Sequence, residues 1–148
     1  MKILQNNMTA EEIEAGLTDQ DRRVREATSW RVDYTPNKEQ ISRGLDDSDP
    51  NVRMAFANRI DYTPNEAQIE DGLRDSNPEV REAFAFRTDI VLTGYQISRG
   101  LRDSDPDVRE VFKNNEFEMR HRLERQNLGL EVKATIPNLQ MKSKVMAL

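Results

Sequence analysis

The sequence predicts an all-α fold, a right-handed α-solenoid of four 28-residue helix pairs closed by a C-terminal cap. Three observations carry this reading. First, Gly16, Gly44, Gly72 and Gly100 stand 28 residues apart, and Ile13/41/69/97, Leu17/45/73/101, Val24/52/80/108 and Arg25/53/81/109 hold the same register. Self-similarity at a fixed period in this range marks a stacked repeat array. Second, each period contains two short stripes of apolar residues at helical spacing. Third, each stripe opens on a cap signal and closes on a breaker. The units span 7–34, 35–62, 63–90 and 91–118, a capping helix extends the array (1–127) to 127, and 128–148 form a tail.

The first helix of each unit, helix A, opens on a capping box: Thr9/Glu12, Asn37/Gln40, Asn65/Gln68 and Thr93/Gln96. In such a box two side chains reciprocally satisfy orphan amides at a helix N-terminus. Helix A is therefore expected to begin at residues 10, 38, 66 and 94. Its buried face is narrow, Ile and Leu at i, i+4, such as Ile41 and Leu45. The glycine before each Leu stands where helix A ends or where a neighbour comes too close for a side chain.

A short turn follows, Asp-x-Asp/Asn-Pro-x-Val-Arg in Asp47–Arg53, Asp75–Arg81 and Asp103–Arg109, with Arg22 replacing proline in Asp19–Arg25. Asp21, Asp49, Asn77 and Asp105 are expected N-caps, and proline at the next position loses nothing by lacking an N–H. The second helix, helix B, should bury Val, then Ala or Val, then Thr or Phe, as in Val24, Ala27 and Thr28 or Val80, Ala83 and Phe84. It is expected to end near Asp33, Asp61 and Asp89, where Thr-Pro stops it. Two such helices cannot bury their stripes alone; stacked pairs can.

These residues carry a family likeness. The Asp-x-Asp-Pro-x-Val-Arg turn between short helices resembles HEAT-like repeats, and the Ala-x-Arg-x-Asp-x-Thr-Pro connection of Ala57–Pro64 resembles the related variant leucine-rich repeats. The likeness covers residues 7–118. It implies a ladder between units in which turn aspartates pair with helix-B arginines, here Asp19/47/75/103 and Arg25/53/81/109. It also implies that helix B lines a concave face, that most relatives bind proteins, and that a few are DNA-repair glycosylases.

Composition narrows the chemistry. The 148 residues include no cysteine, which removes disulfides, iron–sulfur clusters and thiol catalysis. Residues 1–112 carry 15 basic and 23 acidic side chains, whereas 113–148 carry 7 and 4, so an acidic array precedes a basic tail. Direct nucleic-acid binding is not expected of an acidic array. No apolar run is long enough for a signal core or a membrane span, and the expectation is a soluble, cytoplasmic protein. No phosphate loop, nucleophile triad or metal spacing occurs, and the one histidine, His121, lies among arginines. Neither enzyme activity, a cofactor nor a metal is expected.

Two surfaces remain as candidates. On helix B, the side opposite Val reads Glu26-Ser29-Trp30, Met54-Ala57-Asn58, Glu82-Ala85-Phe86 and Glu110-Lys113-Asn114, and these positions vary while the scaffold columns repeat. Trp30 and Phe86 would be anchors for a partner protein, with Glu26, Met54, Asn58, Glu82 and Asn114 beside them. The alternative is an acidic ridge of Asp46, Asp47, Asp49, Asp75, Asp103, Asp105 and Asp107, which could occupy the basic surface of a nucleic-acid-binding protein as a decoy. Periodic Arg/Asp columns, including Arg31 with Asp33, read as structural ion pairs. In the tail, Met141, Val145, Met146 and Leu148 are expected to dock on the array or to complete a homodimer contact.

Overall fold

A computed structural model describes residues 7–115. The expectations for the capping helix beyond 115, for His121 and for the tail 128–148 all lie outside those residues. Eight helices are present among the described residues and no strand. They fall into two compact units, one ending at Thr93 and one beginning at Gly94.

The first unit holds three helix pairs: α1 (Ala10–Leu17) with α2 (Arg22–Ser29), α3 (Lys38–Leu45) with α4 (Pro50–Asn58), and α5 (Glu66–Leu73) with α6 (Pro78–Ala85). Thr9, Asn37 and Asn65 form complete capping boxes with Glu12, Gln40 and Gln68, so helix A starts where the residue pattern places it. Asp21, Asp49 and Asn77 cap helix B through side-chain oxygens, with Pro50 and Pro78 in the first turn. Within each pair the two helices pack together, and α4 packs against both α2 and α6, so the pairs stack through helix B. The core of the first two pairs is Ile13, Leu17, Ile41, Val52 and Phe56, with Met8, Tyr34, Leu45 and Tyr62 against it. The second unit holds α7 (Gly94–Gly100) and α8, which starts at 106 and is described to 115.

The glycine column is explained by close approach. A Cβ on Gly44 would run into the Phe56 ring, and one on Gly72 into the Phe84 ring; Gly100 meets Phe112 in the same way. The absent side chain on helix A is the socket into which the helix-B aromatic sits.

Three expectations are corrected. Helix B ends at Ser29, Asn58 and Ala85, about one turn short of Asp33, Asp61 and Asp89. The reason is the following arginine, whose guanidinium grips an aspartate two residues on: Arg31–Asp33, Arg59–Asp61 and Arg87–Asp89. Residues i and i+2 point to different sides of a helix, so this pairing requires a non-helical turn. Second, Ser29, Ala57 and Ala85 are buried, not exposed. A mid-stack helix has a neighbour on each side, and the small residue is where the next arginine crosses: Arg59 Nη1 donates to Ser29 O at 2.6 Å and Arg87 Nη1 to Ala57 O at 2.7 Å. Third, Val24 and Ala27 are exposed although Thr28 is buried. Their counterparts Val52 and Ala55 are covered by packing of α4 on α2.

Candidate partner-binding face

The C-terminal end of helix B and the turn after it present the large apolar residues that do not repeat. Trp30 is 46% exposed, Val32 95%, Ile60 94% and Phe86 66%. Local structure explains their outward direction. Arg31, Arg59 and Arg87 point inward to hold the turn, so the residues flanking each arginine point out. Arg59 is nearly enclosed, with Nη1 donating to Ser29 O and Arg31 O, Nη2 to Tyr34 O, and its plane 4.4 Å over the Tyr34 ring. Arg87 repeats the arrangement with Ala57 O, Tyr62 O and the Tyr62 ring. The charge on this edge is therefore committed to structure. Arg31 and the Met8 N–H hold the Asp33 carboxyl down at about 2, and Arg87 lowers that of Asp89.

Ile60 and Phe86 line one groove of about 550 Å³, together with Ala57 and Ala83 beneath and Asn58 and Thr88 at its rim. Asn58 is exposed and its Nδ2 donates to Met54 O, which fixes the amide. Glu26, Met54 and Glu82 are half-buried one turn earlier on their helices, and Asn114 is exposed on α8. Sequence reasoning picked Trp30 and Phe86 but missed Val32 and Ile60, because a longer helix B put them inside regular structure. The Arg-x-Asp spacing was the signal that could have found them.

The turn aspartates are occupied by local roles. Arg25 Nε and Nη2 donate to both oxygens of Asp47, and Arg53 does the same to Asp75 one unit later. In each unit the arginine Nη1 also reaches back to its own turn: Arg25 to Asp19 O, Arg53 to Asp47 O, Arg81 to Asp75 O and Arg109 to Asp103 O. Asp49, expected on an open ridge, is instead 5% exposed and caps α4. Asp105 caps the start of α8 by accepting from Asp107 and Val108 N–H groups, while Asp46 and Asp107 are exposed. Beside the ridge, a polar groove of about 650 Å³ runs between α3 and α5 past Ser42, Asp46, Asp71 and Arg74. No three metal-ligating side chains converge among the described residues. No described helix is long and apolar enough to cross a membrane.

A family model for the HEAT repeat associated with sister chromatid cohesion matches residues 38–55, which comprise α3, the Asp-rich turn and the first two-thirds of α4. Comparison with curated proteins and with solved structures gives no match. That stretch is similar to a HEAT repeat, and the paired short helices with their in-phase glycine sockets agree with a fold of stacked helical repeats.

Proposed function

We propose that the chain is a non-catalytic protein-interaction module that grips a partner protein along the helix-B edge, with Trp30 and Phe86 as anchors. One observation carries this: the end of helix B and the turn after it expose Trp30, Val32, Ile60 and Phe86, and two of them, Ile60 and Phe86, share a groove. Burying two aromatic and two branched side chains is enough to dominate a small interface, since anchors of this type supply most of the free energy. The decoy reading has less support, because Asp47, Asp75 and Asp49 already serve as ion-pair partners and caps.

The test is quantitative capture by the full chain against a Trp30→Ala/Phe86→Ala variant whose circular dichroism matches wild type. The expected outcome is at least a ten-fold loss of partner, with little dependence on salt between about 50 mM and 500 mM, where exposed charge pairs are screened. Undiminished capture by the double variant, or capture lost by Asp46→Asn and high salt, would reject the anchor assignment in favour of the acidic turns.

A further inference from the structure

Among the described residues, the first helix pair lacks the covering helix that the second and third pairs have, and the chemistry of that joint specifies what would cover it. In the second and third pairs, the face of helix B that looks back along the chain is covered by the preceding helix B: Val52 and Ala55 lie under α2, Val80 and Ala83 under α4. Each covering helix brings the same two features. An arginine makes a bidentate bond to the turn aspartate, Arg25 to Asp47 and Arg53 to Asp75. Four residues later comes a small side chain, Ser29 or Ala57, both 0% exposed, which permits close approach.

Among the described residues, nothing occupies the acceptor half of this joint in the first pair. Val24 is 39% exposed and Ala27 is exposed. The Asp19 carboxylate, equivalent to Asp47, accepts from the Asp21 N–H as Asp47 does from Asp49, but among the described residues no arginine reaches it.

We propose that this face seats an α-helix of a second protein carrying Arg-x-x-x-Ala or Arg-x-x-x-Ser, its arginine forked onto Asp19 and its small residue lying over Val24 and Ala27. A second copy of this chain does not fit. Its corresponding residues in α8 are Arg109 and Lys113, and a Lys113 side chain 67% exposed stands where the joint needs a small residue. The surface does not include the Ile60/Phe86 groove, so a Phe86→Ala variant tests that groove without touching this one.

The probe is a hydrocarbon-stapled peptide with the sequence of residues 49–61, which contains Arg53 and Ala57 in the required spacing, titrated into the full chain. Trp30, the one tryptophan, reports by fluorescence. Saturable binding is expected, weakened at least ten-fold by Asp19→Arg in the chain or Arg53→Asp in the peptide, restored when the two reversals are combined, and unchanged by Phe86→Ala. Circular dichroism of the Asp19→Arg chain controls for folding. Absence of saturable binding, equal affinity for the Asp19→Arg chain, or binding that appears only after residues 1–6 are removed would overturn the proposal, the last by making that segment the occupant.

Discussion

The first helix pair and the second are built on one template, yet they spend it differently. Both have the capping box, the Asp N-cap and the Gly socket. In the second pair the socket holds the Phe56 ring; in the first it holds Thr28, whose hydroxyl turns back to donate to Val24 O at 2.7 Å. Val52 is 2% exposed and Val24 is 39% exposed. The template sets where helices start, whereas the neighbour on each side decides what a given residue is worth. That is the expected behaviour of an array whose stability is a sum over units and their interfaces.

The sharpest way to break the comparison is to empty the two sockets in parallel. Phe56→Ala removes a ring that is 1% exposed and leaves a cavity against Gly44, a loss of about 3–5 kcal/mol. Thr28→Ala removes one hydroxyl and one methyl, with an expected loss of about 1 kcal/mol. Filling the socket should also hurt: Gly44→Ala drives a methyl into the Phe56 ring and should cost about 1–3 kcal/mol. Urea denaturation of the three variants measures all of this. Equal losses for Phe56→Ala and Thr28→Ala would mean that the socket is not what couples the helices of a pair.

The next largest contrast is between two arginines. Arg59 is buried in a cage of backbone carbonyls from the preceding unit and of Asp61, while Arg23 lies in solvent against Asp21, its side chain 80% exposed. Removing Arg59 leaves Ser29, Arg31 and Tyr34 carbonyls without their donor, so Arg59→Ala should cost about 3–5 kcal/mol. Arg59→Lys should recover little, since one ammonium cannot span three carbonyls and a carboxylate. Arg23→Ala should fall within about 0.5 kcal/mol of wild type. A lysine variant as stable as wild type would show that charge alone, without the fork, holds consecutive pairs together.

Much of this was legible in the residues. Caps and prolines fix helix starts through local bonds, and local bonds are what a sequence displays most directly: Asn37 with Gln40, or Asp49 before Pro50, specify their own geometry. The ends of helix B fall earlier than expected because each closes on an Arg-x-Asp pair outside the helix, to which Arg59 adds carbonyls 25 to 30 residues away. The equivalent contact from Arg87 crosses Ala57, and the inward turn of Arg59 leaves Ile60 pointing out, so the candidate face was half seen: its aromatics stand out by size, its aliphatic members only once the turn is known. Asp49 was misjudged for a similar reason. A residue type that is mostly exposed was assigned to a ridge, when the stacked turn encloses it.

The smallest effect separates two tyrosines in equivalent places. Tyr62 donates its hydroxyl to Phe56 O at 2.7 Å, whereas the Tyr34 hydroxyl is buried and has no hydrogen-bond partner. Tyr62→Phe should therefore cost about 1 kcal/mol at neutral pH, and Tyr34→Phe should be neutral or slightly stabilising. Burial raises the Tyr62 phenol to about 12 from an ordinary 10.0. A phenol that holds its proton more tightly when folded stabilises the fold fully below pH 10 and loses that contribution as pH climbs toward 12, because the unfolded chain ionises first. Wild type should thus lose stability across that window, and Tyr62→Phe should flatten the slope. Burial also raises Tyr34, so Tyr34→Phe should reduce the slope as well without the neutral-pH cost. Denaturation midpoints at pH 7 and at intervals from 10 to 12 distinguish the two roles, and a Tyr34→Phe loss at pH 7 equal to that of Tyr62→Phe would show that the first unit has a partner for its phenol after all.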